Sequence, residues 1–251
     1  MTSTKDLSDL PAYHLKEWIQ QKKITPIEVV DFFLQKIERL NPKLNALLYI
    51  NDQNAKNYAR KFTKLVEGND FSRPLLGVPL VVPDPLNMKG TPTTYGSLVL
   101  EDNICEEDQV EITLLKNAGA IILGKTNMAE FRLSFLTQNH LIGPCHHPSF
   151  PEYSPGGPAA GGGAAVVGGL SPLALSVDMG GSLRVNRSFC DLIGLTPTRG
   201  RVPTIRSHLL PYSEKMFYRK GIVAKNIRDV TMMLDVISQP DNRDLLCTCK
   251  K

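Results

Sequence analysis

The sequence predicts an α/β fold in which helices flank a sheet, and two patterns of apolar residues lead to this prediction. Before residue 67 the apolar residues recur at helical spacing. From Gly77 onward, short apolar runs alternate with longer amphipathic segments, as in α/β units. No repeat or low-complexity linker interrupts the chain. We therefore predict one domain over residues 1–251, with a helical layer over about 7–66 and an α/β core over about 75–241.

Each predicted element has a local signal. At residues 25–28, T-P-I-E supplies an N-cap threonine, a proline at the first helical position and an acidic residue in the first turn. Helices are predicted at residues 10–21, 25–40, 52–66, 108–118, 128–135, 159–169 and 228–237. Short buried strands are predicted at residues 78–82, 120–124 and 173–177.

Composition favours a globular protein and argues against several function classes. Of the 251 residues, 42% are hydrophobic and 22% are charged, which is ordinary for a globular chain. The net charge is only +4 and the basic residues are scattered, so a nucleic-acid surface is not indicated. The apolar runs are too short to cross a membrane, and the polar first six residues do not resemble a secretory signal.

The cysteines and histidines indicate neither a metal centre nor a disulfide framework. The five cysteines are odd in number and irregularly spaced, which favours free thiols in a reducing, cytoplasmic compartment. Cys247 and Cys249 form a C-x-C pair of the kind that binds metals. Because no second ligand pair is near, we interpret it as part of a frayed tail. We expect no metal and no cofactor.

The segment 154–184 carries the strongest functional signal. A glycine turn leads into a helix of small residues, an apolar run follows, and D-M-G-G-S then occupies residues 178–182. Successive glycines let several backbone N–H groups point at one place, which is how an anion or a developing oxyanion is bound. Ser182, at the end of this turn, is a candidate nucleophile. The glycines at 161–163 lack the following Lys-Ser/Thr of a phosphate loop and are better explained by close packing.

These residues resemble the amidase signature family, whose members cleave amides with a Ser–cis-Ser–Lys triad. Residues 178–184, D-M-G-G-S-L-R, are similar to the family's D-T-G-G-S-I-R. Residues 155–163 are similar to P-G-G-S-S-G-G-S with one residue of slack, and residues 77–84 to G-V-P-x-x-V-K-D. Further matches lie at residues 123–131 and 194–202. The resemblance implies one mixed sheet flanked by helices.

The resemblance also implies that most of the catalytic machinery is missing. Ser182 occupies the nucleophile position, Pro158 the cis-Ser position and Pro83 the Lys position. Neither proline side chain can donate or accept a proton. A catalytically silent or strongly impaired amide hydrolase homologue, acting in binding or assembly, is therefore the leading hypothesis. We also expect the three positions to converge and Gly157–Pro158 to be cis, because proline lowers the cost of a cis bond. The alternative is a trans bond in a loop that has drifted.

Other roles follow from the same resemblance. Met179, Gly180 and Gly181 would supply the oxyanion-hole N–H groups, the alternative being that they only form a tight turn. Lys89 and Lys125 are the candidates for a substitute base in an active, Ser182-dependent amidase or esterase. A degraded gene product without a selected function is a third hypothesis.

The residues next to the motif have a different part. Asp178 and Arg184 are expected to orient the loop through local hydrogen bonds rather than to contact substrate. Asn186 and Arg187 stand where family members usually carry small residues or proline. This difference also argues for a changed pocket.

The resemblance finally implies partners. Family members continue for a further large segment that completes the sheet and part of the substrate pocket, so this chain resembles a core without the C-terminal part. A sheet interrupted after Asp241 would expose strand edges and apolar surface. We therefore expect a small amide as ligand, and self-association or a separately encoded C-terminal half as partner.

Overall fold

The computed structural model of the chain describes residues 6–205 and 216–248. The strands are β1 Leu47–Ile50, β2 Pro79–Pro83, β3 Ile121–Thr126, β4 Leu173–Asp178, β5 Ile193–Leu195 and β6 Arg219–Ala224. The helices are α1 Ala12–Gln20, α2 Pro26–Leu44, α3 Asp52–Glu67, α4 Val110–Asn117, α5 Gly161–Val167, α6 Ser182–Phe189 and α7 Ile227–Ile237.

The described strands form one mixed sheet in the order β1-β3-β2-β4-β6-β5, with helices on both faces. Strand β2 pairs in parallel with β3 and β4. Strand β1 is antiparallel to β3, and β6 is antiparallel to both β4 and β5. The predicted α/β class and mixed sheet are confirmed.

Both faces of the sheet are buried, as the continuous apolar runs predicted. Along β2, Val81 belongs to the core shared with α2, α3 and α5, whereas Leu80 and Val82 belong to the core shared with α4 and α7. Along β4, Ala174 and Leu175 divide in the same way. The alternation of side chains along a strand therefore places one core on each face.

Helices α1, α2 and α3 contribute to one core on one face of the sheet, whereas β1, between α2 and α3, belongs to the sheet itself. Helix α2 begins with a capping box, in which Thr25 and Glu28 exchange side-chain and backbone hydrogen bonds. Phe33 of α2 and Phe62 of α3 are buried in the same core. Helix α1 is also joined to α7, because the Asp229 carboxylate accepts the backbone N–H of Ala12. Within the described residues, no helix has the length and apolar character to cross a bilayer.

One predicted helix is wrong, and several elements were missed. The segment predicted as a helix at residues 128–135 contains only a 3-10 turn, Glu130–Arg132. Phe131 and Arg132 have φ of +47° and +62°, a left-handed conformation that ends a right-handed helix. Sequence periodicity also did not predict the following elements: β1, β5, β6 and α6.

Candidate active site

The candidate site lies where the parallel strands β2 and β4 end. Strand β2 ends at Pro83, and β4 ends at Asp178. A tight turn follows β4, and α6 begins at Ser182. Gly181 in this turn has φ of +111°, a conformation that favours glycine. The turn therefore places Ser182 at a carboxyl end of the sheet and at the first position of a helix, the usual place for a functional group in such a fold.

Ser182 faces a cavity but has no hydrogen-bond partner. Its side chain is 4% exposed, and its Oγ bonds to no group of the described chain. The cavity has a volume of about 310 Å³. The described residues lining it are Arg132, Leu133, Ser134, Phe135, Pro158, Val177, Met179, Gly180 and Ser182. The structure thus brings Ser182 and Pro158 to one cavity, the two residues that the resemblance assigns to the nucleophile and cis-Ser positions.

The loop that carries Pro158 is fixed by hydrogen bonds from three directions. The amide of Asn186 in α6 donates to the carbonyl oxygen of Pro155 at 2.7 Å. The Thr137 hydroxyl donates to the carbonyl oxygen of Gly157 at 2.7 Å. The backbone N–H of Ala129 donates to the carbonyl oxygen of Pro158, also at 2.7 Å. Asn186 is fully buried and also accepts a backbone N–H from α5, so it joins this loop to the helix of Ser182.

The predicted cis bond is wrong: Gly157–Pro158 is trans. The loop takes its shape instead from two glycines, because Gly156 and Gly157 have φ of +80° and +89°. A Cβ added to Gly157 would lie 2.7 Å from the carbonyl oxygen of Ser182. The close approach of the loop to Ser182 therefore depends on glycine at 157.

Asp178 anchors the turn that precedes Ser182. Its carboxylate accepts the backbone N–H of Gly181 at 2.7 Å and that of Arg184 at 3.3 Å. The Arg184 guanidinium adds two bonds, at 2.9 and 3.0 Å. The N–H of Gly181 is thus directed at Asp178, whereas Met179 and Gly180 line the cavity. The orienting role that the sequence predicted for Asp178 and Arg184 matches this geometry.

Pro83 lies at the same end of the sheet but is not among the described residues that line the cavity. It is buried and is paired in register with Thr126 of β3. Arg132 is the only ionisable side chain among the lining residues of the described chain. An arginine stays protonated at any ordinary pH and cannot act as a base. The lining therefore offers Ser182 no proton acceptor of the usual kinds.

Lys125, one of the two candidate substitute bases, is buried and engaged elsewhere. Its Nζ donates to the carbonyl oxygen of Pro92 at 2.5 Å and to Thr93 Oγ1 at 2.6 Å, and lies 3.8 Å from Asp84 Oδ1. Burial lowers the pKa of Lys125 to about 8, although the Asp84 carboxylate opposes the shift. The other candidate, Lys89, is exposed.

The cysteines and other possible metal ligands form no second centre within the part of the chain that the structure describes. The thiols of Cys105, Cys145, Cys190 and Cys247 are free, and Cys249 lies outside the described residues. Among the residues that the structure describes, no three His, Cys, Asp or Glu side chains are grouped to hold a metal ion.

Two parts of the site are not evident from the sequence. The sequence marks Asn186 only as an unusual residue after the motif. The signal available in the sequence is a polar residue four positions after Ser182, and the structure shows that its amide is buried and bonded to the loop of Pro158. The cavity wall at residues 132–135 is missed because the composition there predicts a helix.

Comparison with known proteins identifies the family. The amidase family model matches residues 28–250. Over 235 residues the chain is 37% identical to a glutamyl-tRNA(Gln) amidotransferase subunit from Syntrophobacter fumaroxidans, covering 94% of this chain and 48% of that protein. It is 32% identical to an acylamidase of Rhodococcus erythropolis, over 96% of this chain and 50% of that protein. The chain therefore belongs to the amidase family.

Solved structures give the same result for the fold. A bacterial aryl acylamidase of the amidase signature family superposes with a TM-score of 0.90 at 26% identity, covering 96% of this chain and 50% of that one. A 6-aminohexanoate cyclic dimer hydrolase superposes with a TM-score of 0.85 at 27% identity, covering 96% and 49%. The chain thus spans about half the length of the curated relatives and solved structures that it matches.

Proposed function

We propose that this chain is a catalytically silent or strongly impaired amidase homologue whose Ser182 cavity binds a small ligand. One observation gives the strongest support to this proposed loss of catalysis. Ser182 Oγ is buried without a partner, and the described residues around it include no general base. A serine hydroxyl is almost fully protonated at neutral pH and attacks a carbonyl only when a base within hydrogen-bond reach removes its proton.

The expected loss of activity is large. By the resemblance to the family motifs, proline occupies the positions of the bridging serine and the base, and such groups act as one unit. Removing them costs on the order of 10⁴–10⁶ in rate. Replacing only Pro158 by serine would not rebuild the unit, because Pro83 still supplies no base.

The cavity nevertheless remains suited to binding. Hydrogen bonds from Asn186, Thr137 and Ala129 fix the loop beside Ser182, so the cavity is preformed. The names of the relatives include an acylamidase and an aryl acylamidase, which supports a small amide or a molecule derived from one as the ligand.

A partner that covers the site is the second part of the proposal. Three large apolar side chains that line the cavity are exposed: Leu133, Phe135 and Met179. Soluble proteins usually cover such a patch. A second copy of this chain, or a separately encoded chain equivalent to the remaining half of the relatives, would cover it in the cytoplasm. Size-exclusion chromatography with light scattering tests this point. A stable monomer that binds no hydrophobic dye would contradict it.

A fluorophosphonate probe tests the silent site. We expect no labelling of Ser182, and hydrolysis of simple amides no faster than in Ser182→Ala, because the hydroxyl is not activated. An authentic serine hydrolase labelled in parallel is the positive control. Labelling that disappears in Ser182→Ala would support the alternative function, an active amidase or esterase with a substitute base. Lys125→Met, assayed in the same way at a temperature where circular dichroism shows it to be folded, would then show whether Lys125 is that base.

A further inference from the structure

We infer that the Ser182 cavity binds a singly charged carboxylate with an apolar body, in preference to the corresponding neutral amide. A short aryl-alkyl or aliphatic monocarboxylate is the chemical class. The inference rests on the proposed function, because a ligand is retained only if Ser182 does not turn it over. Two features of the cavity carry it: apolar walls and an end that presents hydrogen-bond donors.

The walls accept an apolar body. Most of the described lining side chains carry no polar atom or only a thioether: Leu133, Phe135, Pro158, Val177 and Met179. A volume of about 310 Å³ lies at the small end of ligand cavities. The body of the ligand is therefore a short chain or a single ring rather than a long acyl chain.

The Ser182 hydroxyl needs an acceptor. It is only 4% exposed and lines the cavity without a partner in the described chain. A buried polar group left without a hydrogen bond is destabilising, and native proteins rarely tolerate one. A ligand oxygen in the cavity would accept this hydrogen bond.

The first turn of α6 presents further donors. Asp178 accepts hydrogen bonds from the backbone N–H groups of Gly181 and Arg184. The backbone N–H groups of Ser182 and Leu183 have no acceptor among the described residues. A Cβ added to Gly180 would meet no atom within 4 Å, so the turn is open. A helix N-terminus carries partial positive charge and favours an anion.

The charge balance distinguishes a carboxylate from an amide. The negative charge of Asp178 is paired with Arg184, and no Asp or Glu is among the described lining residues. Hydroxyl and backbone N–H donors match a carboxylate, which only accepts. An amide would bring its own NH₂ donors to an end of the cavity that presents donors. The anion is therefore the better ligand.

Calorimetric titration of the purified chain with 3-phenylpropionate and 3-phenylpropionamide tests the inference. At neutral pH and low salt we expect the carboxylate to bind about ten-fold tighter than the amide. Ser182→Ala should weaken carboxylate binding by about ten-fold. At the exposed wall position 134, Ser134→Asp should weaken carboxylate binding several-fold relative to the isosteric Ser134→Asn. Amide binding should not differ between the two, and added salt should reduce the effect.

The outcomes separate this inference from the proposed function. Amide binding equal to or tighter than carboxylate binding, without turnover, would overturn the ligand class and leave the silent site intact. Consumption of the amide that disappears in Ser182→Ala would overturn the proposed function. Binding of neither compound, or equal carboxylate affinities in the two Ser134 variants, would overturn the inference. Circular dichroism checks the fold of each variant, and the exposed pair Met179→Glu and Met179→Gln repeats the charge test.

Discussion

The loops that follow β2 and β4 are anchored by the same residue type in different surroundings. Asp84, next after β2, accepts the backbone N–H groups of Thr94 and Tyr95 and lies 3.8 Å from the fully buried Lys125. Asp178, the last residue of β4, accepts the backbone N–H groups of Gly181 in the turn and of Arg184 in α6. It also pairs with the Arg184 side chain, which is 59% exposed. Both carboxyl groups are buried, but the cation paired with Asp84 is buried as well, whereas the cation paired with Asp178 reaches the surface.

The pKa values of the two carboxyl groups are consequently shifted in opposite directions. Burial raises the pKa of Asp84 and outweighs the attraction of Lys125 and the hydrogen bonds from Thr94 and Tyr95. At Asp178 burial also acts to raise the pKa, but hydrogen bonds from Arg184 and Gly181 outweigh it and lower the pKa. The comparison teaches that the loop after β2 is a determinant of stability. The turn after β4, which leads to Ser182, can change at lower cost.

The largest effect is expected from Lys125→Met. This change leaves Asp84 buried without its cation, and breaking a buried pair costs about 3–5 kcal/mol. Urea unfolding measures the loss in the free energy of unfolding. Lys56→Met is the matched control, because Lys56 pairs with Asp52 at the surface, where water screens the pair and little stability is lost with it. Equal losses in the two variants would show that the buried Lys125–Asp84 pair contributes no more to stability than the surface Lys56–Asp52 pair.

Asp178→Asn should have an intermediate effect of about 1–3 kcal/mol, because backbone N–H groups at the start of α6 lose a charged acceptor. The pKa of Asp178 is lowered from 3.8, so its contribution is present above that pH and is lost as the pH falls through the lower, folded-state pKa. The difference between wild type and Asp178→Asn should therefore shrink below about pH 3.8. A difference independent of pH would show that the charge of Asp178 is not what matters.

The smallest effect is expected from Arg184→Gln. The Arg184 guanidinium is exposed although Asp178 is buried, and an ion pair that water screens contributes about 0–1 kcal/mol. The backbone bonds to Asp178 remain. Thermal unfolding followed by circular dichroism, at low and high salt, measures the change. A loss comparable to that of Lys125→Met would contradict the comparison and make the surface guanidinium a principal anchor.

Periodicity predicted the long helices, because their core-facing residues repeat regularly, and continuous apolar runs predicted the central parallel strands, because both of their faces are buried. It failed where tertiary contacts decide the conformation. Residues 128–135 have the composition of a helix, but the Phe131 N–H donates to the carbonyl oxygen of Tyr95 and the chain turns left-handed there. The edge strands β1 and β5 are too short for a periodic signal, being four and three residues long.

The candidate site, like the fold, could be predicted from the sequence only in part. Motif order is the basis for the predicted assignment of Ser182, Pro158 and Pro83 to the three triad positions, and that assignment stays a prediction. Side-chain chemistry was sufficient to argue that the two prolines cannot move a proton. Sequence could not give the trans bond before Pro158, the cavity wall at residues 132–135 or the buried amide of Asn186 that joins the loop to α6. Those features depend on which distant segments contact each other. Residue identities fixed what each group can do chemically, and only packing decided which groups lie together.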